Sequence, residues 1–479
     1  MADLLDRDAT GQLAALTAKD VSAVELLRLS LDRHEQTHAT LNAVIAADPE
    51  RALDMAKAVD DLRLRGETLG PLAGLPMTIK DTLDVIGLPA SSGLEALRRR
   101  KPDDATAVAH ARHAGAVIWG KTNVPVMAGD WQAFNALYGT SNNPWDPTRT
   151  TGGSSGGAAA ALAVGVTALE IGSDIGGSLR VPASFCGVYS HKPTWGMVSQ
   201  RGHVPPAPGA HGERDLNVVG PMARSARDLR LLLSVIETGP IAPRADPADL
   251  AVLRVGLWLD EPGFPLDPEV RAVVAAFAGE LASLGAQVQP ISSPVPADQL
   301  MDAYQVLLGA ILGTDMPPKL QRRMRLMRGP AGLALKLGAG PQSWAGLTRS
   351  YAATHAEWIA ADEVRARLGH TMSDVFRRFD VILAPVTPVT AFPHDHRPFQ
   401  ARRLRRSDGG QIPYTSMLNW IALATACHLP ATTVPAGLSI SGLPVGVQII
   451  GPRGADSRTL AVAQAIDESL RGFIAPPSA

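Results

Sequence analysis

The chain has 479 residues, 46% of them hydrophobic, and its 45 basic and 46 acidic residues leave a formal net charge of −1. That composition supplies a large core and no basic footprint for nucleic acid; the dense run at 402–406 (RRLRR) reads as a solvated patch or a partner contact. Cys186 and Cys427 form neither a metal-ligand spacing nor a disulfide framework, the start lacks a secretory pattern, and no apolar run approaches the about 20 residues of a bilayer span, so a cytoplasmic chain is expected.

In chain order, Ser22 and Glu25 make a capping box that opens a helix with Val24, Leu27 and Leu31 on one face. Residues 41–45 read as a short strand. An amphipathic helix follows through Leu53, Ala56, Val59 and Leu62. Gly74 opens a turn into a short buried strand that ends near Lys80. Residues 106–114 predict a helix and 116–119 a strand. Residues 142–157 are rich in Asn, Pro, Thr, Gly and Ser; so long a loop in a compact fold is usually functional. A buried helix over 158–164, a strand over 169–173 and a tight turn from Asp174 to Ser178 follow.

Another strand, helix and strand are predicted at 252–257, 268–284 and 287–291. Residues from about 300 to 375 are mostly helical, either a cap over the site or an outer layer. Core strands are expected at 381–383 and 432–434, and Gly442 turns into a last strand ending at Ile450. The alternation predicts an α/β layered fold, with the whole chain, 1–479, as one domain.

Two motif matches fail on context. Gly115 to Thr122 fits GxxxxGK[ST], but its interior, AVIW, is itself a strand, and Pro125 disfavours an immediate helix. Gly152 to Gly156 fits GxSxG around Ser154, and the frame from Gly153 fits it around Ser155. An esterase elbow needs a strand running into the serine, whereas loop precedes this one; downstream His394 and His428 keep that reading open.

A wider constellation is more specific. Gly152 to Gly157 (GGSSGG) is followed by Gly172 to Arg180 (GSDIGGSLR). Gly74 to Asp81 (GLPMTIKD), Gly120 to Asn123 (GKTN), Asn142 to Pro144 (NNP) and Gly442 to Gln448 (GLPVGVQ) stand in order around them. Together these segments resemble the amidase signature family over nearly the whole chain. The resemblance implies a large, twisted, mostly mixed β-sheet covered by helices on both faces. It implies Ser178 as acylated nucleophile, Ser154 as relay behind a cis peptide and Lys80 as base. It further implies an oxyanion hole from the N–H groups of Ile175, Gly176, Gly177 and Ser178, and a substrate contact at Met127.

The residue types make chemical sense beside that resemblance. A serine hydroxyl needs a nearby base, and no histidine stands in these motifs. Lysine serves only where burial favours its neutral form, and arginine never does. The chain spends only eight of its 45 basic residues on Lys. The plainer alternative is a buried Lys80 paired with Asp81 or Asp84. Gly176 and Gly177 permit backbone amides to converge, or make an ordinary tight turn. Asp174, Arg180 and Ser155 read as structural support. Asp130, Trp131 and Phe134 shape an acyl pocket or plain core.

The expected activity is hydrolysis of linear carboxamides without metal or organic cofactor. Anilides and carbamates present the same carbonyl, so urethane cleavage is a further expectation. The expected partner is a small amide or carbamate, with no nucleic acid and no membrane, and the resemblance allows a homodimer. The rival is a glutamyl-tRNA amidotransferase-type subunit that works in a complex.

Overall fold

The computed structural model describes residues 3–239, 247–340 and 343–477. Among them, eleven strands form one mixed sheet. From one edge it runs Val44–Ala47, Val117–Thr122, Pro76–Lys80, Leu169–Asp174, Val218–Ala223 and Tyr189–Lys192. It continues through Ala431–Leu438, Pro444–Ile450, Val381–Pro385, Arg254–Trp258 and Gln287–Ile291. Two further two-stranded ribbons stand apart from it.

Three neighbouring strands position the site. Pro76–Lys80 pairs in parallel with both Val117–Thr122 and Leu169–Asp174. Parallel strands end on one edge, so Lys80, one residue past the Ile79–Ile171 pair, and Asp174 both finish where ligand crevices of α/β sheets form. The same arrangement dissolves the phosphate-loop match, since its interior is the strand Val117–Thr122.

Side chains alternate across the sheet. Val381 and Leu383 enter one apolar cluster, Ile382 and Ala384 the other. The first cluster is covered by Leu26 and Leu27 of the helix Ala23–Leu41, Leu229 of Ala226–Ile236 and Phe277 of Pro268–Ser283. The second is covered by Tyr304 and Leu307 of Ala297–Thr314 and Leu368 of His355–Arg378. Helices therefore flank both faces. Residues 300–375 hold most of four helices, Ala297–Thr314, Pro318–Lys336, Trp344–Tyr351 and His355–Arg378. Among the described residues no helix is long and apolar enough to cross a membrane.

The capping box at Ser22 is present, with Ser22 Oγ accepting from Glu25 N–H. Its helix runs further than the pattern predicts. Leu41 is its last residue and Asn42 caps it at φ 47°, so the strand expected at 41–45 starts only at Val44. The cysteines are buried and free, and burial pushes both thiols up, that of Cys427 to about 12.

The short helix Gly156–Ala163 is wholly buried. A Cβ on Gly157 would stand 2.3 Å from Asn123 N and 2.7 Å from Ala43 O, so glycine lets the helix touch backbone at the end of a core strand. Gly157→Ala is expected to lower stability by about 1–3 kcal/mol through overpacking. An unchanged denaturant midpoint would remove that close approach as a constraint.

Candidate active site

Lys80 is fully buried at the end of its strand. Its Nζ lies 2.8 Å from Ser154 Oγ, 2.9 Å from Ser173 Oγ and 3.3 Å from Ser173 O. The alternative pairing does not form: Asp81 accepts from Ser91 Oγ at 2.5 Å, and Asp84 pairs with Arg100. Burial pushes the Lys80 ammonium down to about 7, against the opposing pull of Asp174 and Glu170.

Ser154 stands in the loop before the buried helix, and its peptide bond with Gly153 is cis. A Cβ on Gly153 would stand 2.6 Å from Asp130 O. Ser155 N–H donates to Ser178 O at 3.1 Å, tying this loop to the one that follows the strand Leu169–Asp174. Ser154, Ser178 and Met127 line one small cavity with Ser173 and His203. Met127 sits there in a left-handed conformation, φ 53°, with its N–H donating to Ser92 O at 2.8 Å.

The turn carrying Ser178 is built on Asp174. Its carboxylate accepts from Gly177 N–H at 2.9 Å, Leu179 N–H at 3.1 Å and Arg180 Nε at 3.0 Å. Burial alone would raise this carboxyl; Arg180 outweighs it and holds it at about 2. Arg180 also donates to Ile421 O at 3.1 Å, Gln448 Oε1 at 3.0 Å and Thr425 Oγ1 at 2.7 Å. Gly177 has φ 91°, and a Cβ there would stand 2.9 Å from Val181.

The carbonyls of the turn are held as well. Tyr304 Oη donates to Ile175 O and Trp131 Nε1 to Gly176 O, each at 2.8 Å. Among the described residues no acceptor takes the N–H of Ile175, Gly176 or Ser178. Of the four amides expected to converge on an oxyanion, that of Gly177 donates instead to Asp174.

Sequence reading missed Ser173 and His203. His203 Nε2 lies 2.8 Å from Ser173 Oγ, and its Nδ1 lies 2.7 Å from Pro205 O. Burial and the neighbouring Lys80 hold this imidazole at about 3, hence neutral. No spacing pattern marks His203, which comes from a Pro-containing segment beyond the motifs. Ser173 lies within the GSDIGGS motif, and its place beside a strand-end lysine is the signal that could have found it.

A second cavity of about 360 Å³ opens on Ile175, Gly176 and Ser178. Trp131, Leu308, Leu347 and Leu418 give it an apolar wall, partly from the helices Ala297–Thr314 and Trp344–Tyr351. Asp130 also lines it, but is taken up by Arg402 and by Tyr414 Oη at 2.7 Å. Phe134, expected beside them, lies outside this lining and stacks on His396 at 3.9 Å between centroids. Among the described residues no group of three or more His, Cys, Asp or Glu is arranged to hold a metal ion.

Arg180→Met removes the guanidinium that pairs with buried Asp174 and leaves that carboxylate only the N–H groups of its own turn. It is expected to cost about 3–5 kcal/mol of folding stability, read from chemical denaturation. A loss below about 1 kcal/mol would show that the pair does not hold the turn.

The family model described as Amidase matches residues 25–460. A glutamyl-tRNA(Gln) amidotransferase subunit from Acidothermus cellulolyticus is 34% identical over 500 residues, covering 98% of this chain and 96% of that protein. A solved amidase structure superposes with a TM-score of 0.80 at 28% identity, covering 96% of this chain and 99% of that one. A bacterial aryl acylamidase of the amidase signature family does so with a TM-score of 0.80 at 25% identity, covering 97% of this chain and 96% of that one. Matched by the family model over most of its length, and by relatives from end to end, this chain belongs to the amidase signature family.

Proposed function

We propose that this chain hydrolyses the C–N bond of carboxamides through an acyl-enzyme on Ser178. The carrying observation is a buried lysine that touches two serines and, among the described residues, meets no carboxylate at contact distance. Such burial makes an amine available as a base near neutral pH.

Hydrogen-bond polarity supports the direction of proton flow. Pro205 O can only accept, so His203 Nδ1 carries the proton and Nε2 accepts from the Ser173 hydroxyl. Ser173 Oγ and O then accept the two hydrogens of neutral Lys80. The remaining lone pair is left for the Ser154 hydroxyl. Ser154 passes its proton to Lys80 as it takes one from Ser178. Ser178 Oγ bonds to the carbonyl carbon, and the developing oxyanion accepts from the N–H groups of Ile175, Gly176 and Ser178. Ser154 returns a proton to the departing nitrogen. Water then enters by the same relay and releases the acid.

The apolar wall that Trp131, Leu308, Leu347 and Leu418 give the cavity beside Ser178 favours a substrate with an apolar group to bury there. Anilides and carbamates remain within the class that shares this carbonyl chemistry. A second reading, as an amidotransferase-type subunit that works in a complex, is favoured by the 34% identity to one such protein along 98% of the chain. Hydrolysis of a simple amide by the purified chain alone separates the two.

Ser178→Ala is expected to abolish labelling by a fluorophosphonate; an adduct mapped to another residue would displace Ser178 as nucleophile. Lys80→Ala is expected to lower kcat/KM by about 10³-fold. In the wild type the unprotonated amine is the active form, so kcat/KM rises as pH increases through about 7 and falls below it. A flat profile across that pH would remove Lys80 as base.

Leu308→Trp adds bulk to the apolar wall of the cavity and leaves the three proposed catalytic residues in place. It is expected to raise KM for phenylacetamide about tenfold or more while sparing acetamide. Equal effects on both amides would detach that cavity from substrate binding.

A further inference from the structure

The two cavities meeting at Ser178 differ in size and in lining. The larger, about 360 Å³, has an apolar wall that includes Trp131, Leu308 and Leu418. The smaller is about 30 Å³ and is lined by Ser154, Ser173 and His203, none of which lines the larger. Arg214 and Asp315 also line it, and they join in an ion pair with an N–O distance of 2.6 Å. A space of that size matches a water or an ammonia molecule and is far smaller than an aromatic amine.

The leaving nitrogen must come within hydrogen-bond reach of the group that protonates it. Ser154 lines only the small side. The acyl group is then left with the large side. We infer that the substrates are primary carboxamides, RCONH₂, in which R is bulky and apolar. R occupies the larger cavity and the NH₂ group the smaller.

This inference rests on the assignment of Ser154 as proton relay. The C–O bond to Ser178 forms, the C–N bond breaks, and the nitrogen leaves with one proton from Ser154 as ammonia. Water adds to the ester, the C–O bond to Ser178 breaks, and its proton returns through Ser154. The balance is RCONH₂ + H₂O → RCOOH + NH₃.

Phenylacetamide and acetanilide are isomers that test the assignment directly. The first carries its ring on the acyl side and the second on the nitrogen. Aniline is the better leaving group, so intrinsic reactivity works against the expected outcome. The wild type is expected to favour phenylacetamide in kcat/KM by at least about 100-fold. Equal or faster hydrolysis of acetanilide overturns this inference and leaves amide hydrolysis standing. Hydrolysis of neither by folded protein overturns both. Asp315→Ala removes one wall of the small cavity and is expected to narrow the preference about tenfold. A preference unchanged in that variant, at unchanged thermal midpoint, overturns the placing of the nitrogen there.

Discussion

Taking an ammonium out of water favours the neutral amine unless an opposite charge meets it. The surroundings of Lys80 keep every such charge occupied or absent. Asp174 is the nearest strong candidate, and Arg180 holds it. Glu170, fully buried in the adjacent strand, is pushed by burial up to about 8 and accepts from Thr78 Oγ1 at 2.5 Å. Lys121 is itself buried, is pushed down to about 8, and donates to Leu83 O. What remains around the Lys80 amine is a set of neutral oxygens. The sheet edge, the glycine-rich loops and the Asp174–Arg180 pair all serve that dry, uncharged contact.

Much of this was legible in sequence because it depends on local rules. The capping box at Ser22, the strand into Lys80 and the strand into Asp174 are patterns of spacing and turn chemistry. The errors lie where tertiary contact decides. The helix after Ser22 keeps Leu41 because Asn42 is able to cap it in a left-handed conformation. Gly177 resembles a hole residue by its neighbours, yet its N–H is engaged because Asp174 folds back on the turn. Phe134 finds His396, a partner 262 positions away that no window contains. His203 was invisible for the same reason, since its meaning comes from Ser173 and not from its own flanks.

Family and lining bear on different levels of function. The matched relatives carry names that range from an amidotransferase subunit to an aryl acylamidase. Such breadth is what a shared sheet edge and shared loops permit when the walls around them vary. In this chain the walls come largely from the helices Ala297–Thr314 and Trp344–Tyr351, with Leu308 and Leu347 facing the cavity beside Ser178. The wall of that cavity thus comes largely from a part of the chain that carries none of the signature segments.

Arg180 joins the turn of Ser178 to residues that are made much later. Its partners Ile421, Thr425 and Gln448 lie more than two hundred positions downstream. The strand Tyr189–Lys192 likewise waits for Ala431–Leu438 as its neighbour. On the ribosome, Lys80, Ser154 and Ser178 all emerge before any of these holders exists. A nascent chain of about 400 residues therefore carries every side chain of the proposed chemistry, with an open sheet edge and an arginine still lacking three of its partners. The turn of Ser178 therefore gains its full set of holders only when the last strand of the sheet has been made.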